Sequence, residues 1–150
     1  MKQNSKIRAE MHQAAEDNHR AGGAWRQAGY QLLHIMQLYH QWNAAERENN
    51  EQERDRIREE ADCFAAGGVA VQSGWTAPSN PLEAEHWRID LCGGGPAVRL
   101  VGNFARHGYA TDAKLQYQDW GTPWLEFRLL NDTERKAVSW YANTFYWPGA

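Results

Sequence analysis

The chain has 150 residues and a formal net charge of −3, which fits one domain, or one domain with a helical extension. Its 42% apolar content with 8 Trp, 6 Tyr and 4 Phe excludes a disordered chain. It has no apolar run of about 18 residues and no secretory signal, so we expect no membrane span. Two cysteines make no disulfide framework and predict a cytoplasmic protein with free thiols. The mild negative charge argues against direct nucleic-acid binding.

Composition divides the chain near Gly67-Gly68. The first 66 residues contain no proline, whereas all five prolines and six of the eight tryptophans follow. We therefore predict a helical region over 1–66 and an antiparallel sheet with a C-terminal helix over 67–150, folded together as one compact domain. The fold class is α+β, with N-terminal helices packed on an antiparallel sheet of about five strands and a C-terminal helix.

Hydrophobic periodicity locates the first helices. Residues 2–20 predict a weak amphipathic helix that ends at Gly22-Gly23. Residues 24–47 predict a strongly apolar helix that packs on the sheet. Its stripe consists of Trp25, Ala28, Leu32, Ile35, Met36, Tyr39 and Trp42, widened by Leu33 and Leu38.

A charged run follows over 46–62, with a sparse apolar seam of Ile57, Ala61 and Phe64. Asn49-Asn50 is compatible with a turn between two helices or with a polar stretch in one long helix, and we favour the helical hairpin. The run also fits a solvated helix face with neighbouring side chains four residues apart, such as Glu46–Asn50 and Asp55–Glu59.

From Val69 the hydrophobic period becomes two, which is typical of strands with one buried face. The predicted strands are 69–75, 86–92, 97–103, 113–118 and 125–129. The turns 93–96 and 121–123 join two antiparallel hairpins. Asn131 and Glu134 then predict a capping box at the start of the last helix. The apolar stripe of that helix is Val138, Tyr141, Ala142 and Phe145.

The histidines and carboxylates indicate no specific metal or cofactor site. His12, Glu16 and His19 share a helical face, but a di-metal site needs further carboxylates at matching spacing, so a solvated face is favoured. His34 and His40 are six residues apart and do not share a face, and we expect His40 to pack near Tyr39 and Trp42. A second cluster, formed by Glu83, Glu85, His86 and Asp90, fits the polar face of a strand.

Cys92 precedes Gly93-Gly94-Gly95, which invites a nucleophile or an anion-binding loop. Pro96 and a strand follow instead of the helix that a phosphate-binding loop requires, so a hairpin turn is favoured. A cysteine enzyme would need a histidine partner, such as His86 or His107, and a lowered thiol pKa.

The segment from Leu115 to Trp124 places two tryptophans around a tight turn. In one interpretation the rings cap the end of the sheet and Asp119 bonds the turn amides. In another, the turn is a protein-recognition surface, since Trp and Tyr are enriched in binding hot spots. Its contact residues would be Tyr117, Gln118, Asp119, Trp120 and Trp124. Base stacking is a third interpretation, weakened because only Lys114 and Arg128 are nearby for phosphates.

Several of these segments resemble a family of small uncharacterised proteins of bacteriophages, prophages and related mobile elements. The similar stretches are Ser73-Gly74-Trp75, 89–100, 115–124 and Tyr141 to Tyr146. The most specific parts are the Gly-Gly-Pro-Ala-Val-Arg hairpin and the Gln-Asp-Trp-Gly-Thr-Pro-Trp turn, within a resemblance that covers residues 70–147. The loop over 103–112 departs by having fewer acidic residues. The resemblance implies a mobile-element origin and an α+β fold, and it brings no catalytic residues.

Our leading hypothesis is an inhibitor of host defence that acts in the host cytoplasm, most concretely an anti-CRISPR-like protein that binds a Cas protein or complex. The acidic run would mimic nucleic-acid phosphates against a basic groove, and the aromatic turn would be the desolvated anchor. The acidic contact residues would be Glu46, Glu48, Glu51, Glu53, Asp55, Glu59 and Glu60.

Two other classes of function stay open. A structural or assembly adaptor of a phage would self-associate, as a homodimer, by pairing the Trp25–Trp42 stripe and the Ile57–Phe64 seam between subunits. A small enzyme would use Cys92. We favour a protein that is not an enzyme and has neither cofactor nor metal.

Overall fold

The computed structural model describes residues 23–65, 67–93 and 96–150. The predicted helix over 2–20, its glycine stop at Gly22 and the His12, Glu16 and His19 face lie outside the described residues. Within them, no helix is both long enough and apolar enough to cross a bilayer.

The N-terminal helical hairpin is confirmed. Helix α1 spans Ala24–Arg47 and helix α2 spans Glu51–Phe64. Asn49 between them takes a positive φ of 51°, a conformation that asparagine tolerates better than most residues. The side chain of Asn50 accepts a hydrogen bond from the Glu53 amide at 3.1 Å and so caps the start of α2.

A five-stranded antiparallel meander follows, in the spatial order β1-β2-β3-β4-β5. Its strands are β1 Gly68–Ser73, β2 Ala84–Cys92, β3 Ala97–Phe104, β4 Ala110–Gln118 and β5 Leu125–Glu126. Strand β4 begins earlier than predicted, after a short 3-10 turn at Arg106–Gly108. Strand β5 is much shorter than the predicted 125–129, although the Phe127 amide still donates to the Leu115 carbonyl at 2.8 Å.

Helix α3 spans Asp132–Ala142, and the predicted capping box is present at its start. Asn131 and Glu134 each accept, through their side chains, the other residue's backbone amide at 2.9 Å. The guanidinium of Arg128 donates to both carboxylate oxygens of the nearly buried Glu134, and these bonds lower the pKa of that carboxyl. Phe145 lies beyond the end of the helix but still packs against the core.

One hydrophobic core joins the three helices to one face of the sheet, which confirms the α+β fold class. Two expectations about α1 are wrong: Leu33 and His40 are exposed. His34 is the packed histidine instead, with its Nε2 at 3.0 Å from the Glu60 carboxylate and its ring edge-on to Phe64. The apolar seam of α2 packs against α1, and this packing places Phe64, at the end of α2, beside the His34 ring.

Trp87 ties together the three central strands. Its ring is buried, and its Nε1 donates to the Asn103 carbonyl at 2.9 Å and to the Thr111 carbonyl at 3.2 Å. Gly102 lies opposite Trp87 in the register, and the ring fills the space where a side chain would begin. A Cβ at Gly102 would clash with both the ring and the Thr111 carbonyl.

We expect Gly102→Ala to lower the free energy of unfolding by about 2 kcal/mol, because a ring held by two hydrogen bonds in a packed core cannot move aside freely. Urea denaturation measures this change. Gly93→Ala is the matched control, since among the described residues no atom lies within 4 Å of its would-be Cβ, and it should change stability by less than about 0.5 kcal/mol. Equal effects of the two substitutions would contradict the proposed packing.

Candidate binding surface on the sheet

The face of the sheet turned away from the helices carries polar side chains. Along β2, Trp87 and Ile89 are buried in the core, whereas His86 and Arg88 alternate with them and are exposed. The outward residues line a depression of about 600 Å³. We call this surface the polar sheet face, and its polar members are Gln72, His86, Arg88, Arg99, Asn103, Asp112, Lys114 and Gln116.

The strand register brings three cations together on this face. Val101 of β3 lies opposite Arg88 on one side and opposite Lys114 on the other. Arg99, two residues earlier on β3, lies on the same face. Arg88 is bonded to the carboxylate of Asp90 at 3.2 Å, so part of its charge is balanced within the chain.

Arg99 is held in place at one end of the polar sheet face. Its guanidinium lies 3.9 Å from the centroid of the Trp124 ring, and its Nε donates to the Gln116 side chain at 2.7 Å. Partial burial, and secondarily the nearby charge of Arg88, lower the pKa of Arg99. The carboxylate of Asp90, which lies opposite Arg99 in the strand register, partly offsets both effects.

A hydrogen-bonded row fixes the other end. His86 Nδ1 lies 2.7 Å from the side-chain oxygen of Asn103, and the Asn103 amide donates to the Asp112 carboxylate at 3.4 Å. Asp112 has a positive φ of 54°. The side chains of His86, Asn103 and Asp112 are therefore held by one another, which limits the entropy they would lose on binding.

The predicted aromatic turn contributes to this surface only in part. We expected Tyr117 to be a surface contact, but its side chain is fully buried in the core and is not available to a partner. Trp120 is 83% exposed, and Trp124 lies against Arg99. The Gln118 side chain donates to the Thr122 carbonyl at 2.8 Å and helps to close the turn.

Asp119 also closes the turn, through its backbone. Its carbonyl accepts hydrogen bonds from the Thr122 amide at 3.3 Å and from the Thr122 hydroxyl at 3.0 Å. The Asp119 amide lies 3.1 Å from the same hydroxyl. Backbone groups of Asp119 and the Thr122 side chain therefore close the turn together.

The acidic run lies on the helical side of the molecule, away from the polar sheet face, and arginines alternate with its carboxylates along α2. Three arginines pair with most of its predicted contact carboxylates. These pairs are Arg54 with Glu46 and Glu51, Arg56 with Glu53 and Glu60, and Arg58 with Asp55. Hydrogen bonds lower the pKa of Glu53, through Arg56, and of Glu60, through His34 first. Internal pairing reduces the negative field that phosphate mimicry requires.

Sequence reasoning recognised the polar side of β2 but missed the site. His86 and Asp90 were assigned to the outer face of a strand, whereas the juxtaposition of Arg88 with Lys114 depends on the register of three strands. The detectable signal was the alternation of Arg99 and Val101 with buried Leu100. This alternation predicts which face of β3 is outward, but not which residues of β2 and β4 lie beside Arg99 and Val101.

Comparisons with known proteins identify no relative: no protein-family model, curated protein or solved structure matches this chain. The resemblance of residues 70–147 to phage proteins thus stays a prediction. In the part of the chain that the structure describes, no group of three or more His, Cys, Asp or Glu side chains is placed to hold a metal ion.

The geometry does not bring Cys92 to its proposed partners. Cys92 and His86 lie on one extended strand six residues apart, which places them about 20 Å from each other. His107 follows the end of β3 that pairs with the His86 end of β2. Burial raises the pKa of the Cys92 thiol, whose Sγ lies 3.6 Å from the Pro96 carbonyl. These surroundings favour the thiol over the nucleophilic thiolate.

We expect iodoacetamide at pH 8 to alkylate the exposed Cys63 several-fold faster than the half-buried Cys92, because alkylation requires an accessible thiolate. Peptide mass spectrometry over time measures both rates in one sample, and the unfolded chain in urea serves as the control in which the rates converge. Faster modification of Cys92 in the folded protein would contradict this description and favour a cysteine enzyme.

Proposed function

We propose that the protein is encoded by a phage or mobile element and inhibits a host defence system by binding a protein complex, in the manner of an anti-CRISPR protein. Two considerations support this proposal: the resemblance of residues 70–147 to phage proteins, and a preorganised surface suited to recognition. The polar sheet face would be the contact surface. Inhibition would follow from occupying a partner's surface.

The observation that carries the proposal is the stacking of Arg99 on Trp124 beside the depression. Arginine and tryptophan are the residue types most enriched in binding hot spots. A guanidinium whose orientation is already fixed by Trp124 and Gln116 loses little freedom when it meets a partner. Its remaining N–H groups can donate in parallel to one carboxylate.

Charge indicates the chemistry of the partner. Three cations and one carboxylate, that of Asp112, line the depression. Burial first, and the charge of Arg88 second, lower the pKa of Arg99, whereas the nearby Asp90 carboxylate raises it. A partner carboxylate beside Arg99 would add to the stabilisation that Asp90 supplies. The partner surface is therefore acidic protein rather than a long phosphate backbone, since three cations supply little of the counterion release on which nucleic-acid affinity depends.

We expect Arg99→Glu to abolish inhibition, because it replaces the stacked cation with a charge that repels an acidic partner. The protein is expressed in bacterial strains that each carry one active CRISPR system directed at a test phage, and plating efficiency is compared with an isogenic strain lacking that system. The wild-type chain should restore plating in at least one strain, and Arg99→Lys should give an intermediate result because it keeps the charge but not the planar fork.

Two matched variants make this experiment decisive. Arg26→Glu introduces the same charge change at an exposed position of α1, on the helical side, and should inhibit like the wild type. Glu48→Lys/Glu51→Lys/Glu59→Lys tests the acidic run without touching Glu53 and Glu60, which hold Arg56 and His34. Loss of inhibition in this triple variant alone would move the contact surface to α2. Restored plating in no strain would overturn the proposed function.

A self-associating structural protein is the second candidate, although not through the surfaces we predicted. The α1 stripe and the α2 seam pack within the chain, with Ile35 and Ile57 fully buried. Strand β1 offers another route. Its outer edge carries no charge or proline, and Val69 and Val71 are 42% and 39% exposed. Natural edge strands usually carry a charged residue or a proline, which prevents pairing with another chain. Two copies could pair antiparallel at β1 and extend the sheet.

If β1 pairs between copies, Val71→Lys should convert a dimer into a monomer, because like charges would face each other across the two-fold axis. Sedimentation velocity over a range of protein concentrations measures this change. Leu129→Lys is the control, since it adds the same charge at an apolar residue that is 82% exposed and lies outside β1. A wild-type chain that is monomeric at every concentration would exclude this candidate.

A further inference from the structure

A second depression, of about 590 Å³, lies between the helices and the start of β4. We call it the helical groove, and the residues that define its chemistry are Tyr39, Trp42, Arg58, Tyr109, Lys136 and Trp140. It shares no lining residue with the polar sheet face. Its volume falls within the range of small-molecule sites in proteins.

Aromatic rings form a rigid floor in the helical groove. The Trp140 ring lies 5.7 Å from the Tyr39 ring and 5.6 Å from the Trp42 ring, with the planes tilted by 39° and 45°. All three side chains are half-buried and packed against the hydrophobic core. Rings held in this way present fixed apolar area to a ligand.

Tyr109 forms an exposed wall of the groove. Its side chain is 53% exposed, yet its hydroxyl end is held by a hydrogen bond. The Ser139 hydroxyl bridges the Tyr109 hydroxyl at 3.1 Å and the Ala110 carbonyl at 3.2 Å. A half-exposed ring that is tethered at its hydroxyl end is suited to stack against a planar ligand.

Cations from two helices reach the same groove. Arg58 of α2 lies 4.9 Å from the centroid of the Trp42 ring, and Lys136 and Arg135 come from α3. Arg58 pairs with Asp55 and Arg135 pairs with Asp132, but all four of these side chains are exposed. Exposed pairs of this kind contribute little free energy, so an incoming dianion can replace them as the partner.

We propose that the helical groove binds a nucleotide. Its base stacks on the rings of Tyr109 and Trp140, and its phosphate lies among Arg58, Arg135 and Lys136. An apolar ligand would leave three cations unused, and inorganic phosphate alone would leave the rings uncovered. A nucleotide matches both halves of the groove. The same chemistry is available from a free mononucleotide or from the end of a single strand of nucleic acid.

The test is a calorimetric titration of the full chain with each of the four ribonucleoside monophosphates and with a short single-stranded oligonucleotide. Saturable binding of a nucleotide is expected, with adenosine alone and inorganic phosphate alone at least about tenfold weaker. If the oligonucleotide binds more tightly than the monophosphates, single strands are the source of the ligand. If a monophosphate binds more tightly than the oligonucleotide, free nucleotides are the source. No saturable binding of any of these probes at millimolar concentration would overturn the proposal.

Variants locate the site. Lys136→Glu should weaken nucleotide binding about tenfold or more, since it removes a charge-assisted contact and adds repulsion. Tyr109→Leu should weaken nucleotide binding but leave the weak binding of inorganic phosphate unchanged. Arg26→Glu makes the same charge change at an exposed position of α1 that lines neither depression, and it should bind nucleotide like the wild type. Equal effects of Lys136→Glu and Arg26→Glu would show a general charge effect and would contradict the site.

Discussion

The hydrogen bonds of the buried Trp87 indole determine what the rest of the sheet can present. Its Nε1 donates to carbonyls on both β3 and β4, across the gap left by Gly102. This contact fixes the central register, and a slip of one residue would exchange the two faces of a strand. Because the register is fixed, the aliphatic residues lie under the helices and Arg88, Arg99 and Lys114 lie together on the opposite face.

Arginines have two different roles in this molecule. On α2 they are paired with the carboxylates of the same helix or of α1, so their charges are balanced locally. On the sheet, Arg99 lies over Trp124 and donates to a neutral amide, and it shares the nearby carboxylate of Asp90 with Arg88, so its charge is oriented but only partly balanced. Recognition depends on charge that is held in place but not satisfied internally. The difference between these environments favours the polar sheet face over the acidic run as the surface that meets a partner.

Local signals in the sequence were sufficient for the elements and for several of their ends. The Asn131–Glu134 box starts α3 as predicted, and the helical hairpin at Asn49-Asn50 is present, because each signal needs only residues close together in the chain. Non-local packing was not accessible in the same way. Tyr117 follows the strand alternation into the core although its neighbours form a surface turn. His34 rather than His40 is packed because α2 folds back and brings Glu60 and Phe64 beside it. The cation cluster on the sheet required a register across three strands.

The pKa shifts of three described carboxylates and of Cys92 share one direction relative to neutral pH. Hydrogen bonds lower the pKa values of Glu53, Glu60 and Glu134, and burial raises that of Cys92. Each of these shifts moves the group away from titration near neutral pH, where a general acid or base needs its pKa. Arg99 shifts downward, but a guanidinium stays protonated in proteins. The charges of these groups are therefore constant at neutral pH, so the ion pairs of the acidic run, the Arg128–Glu134 pair and the cation at Arg99 keep their charge states there.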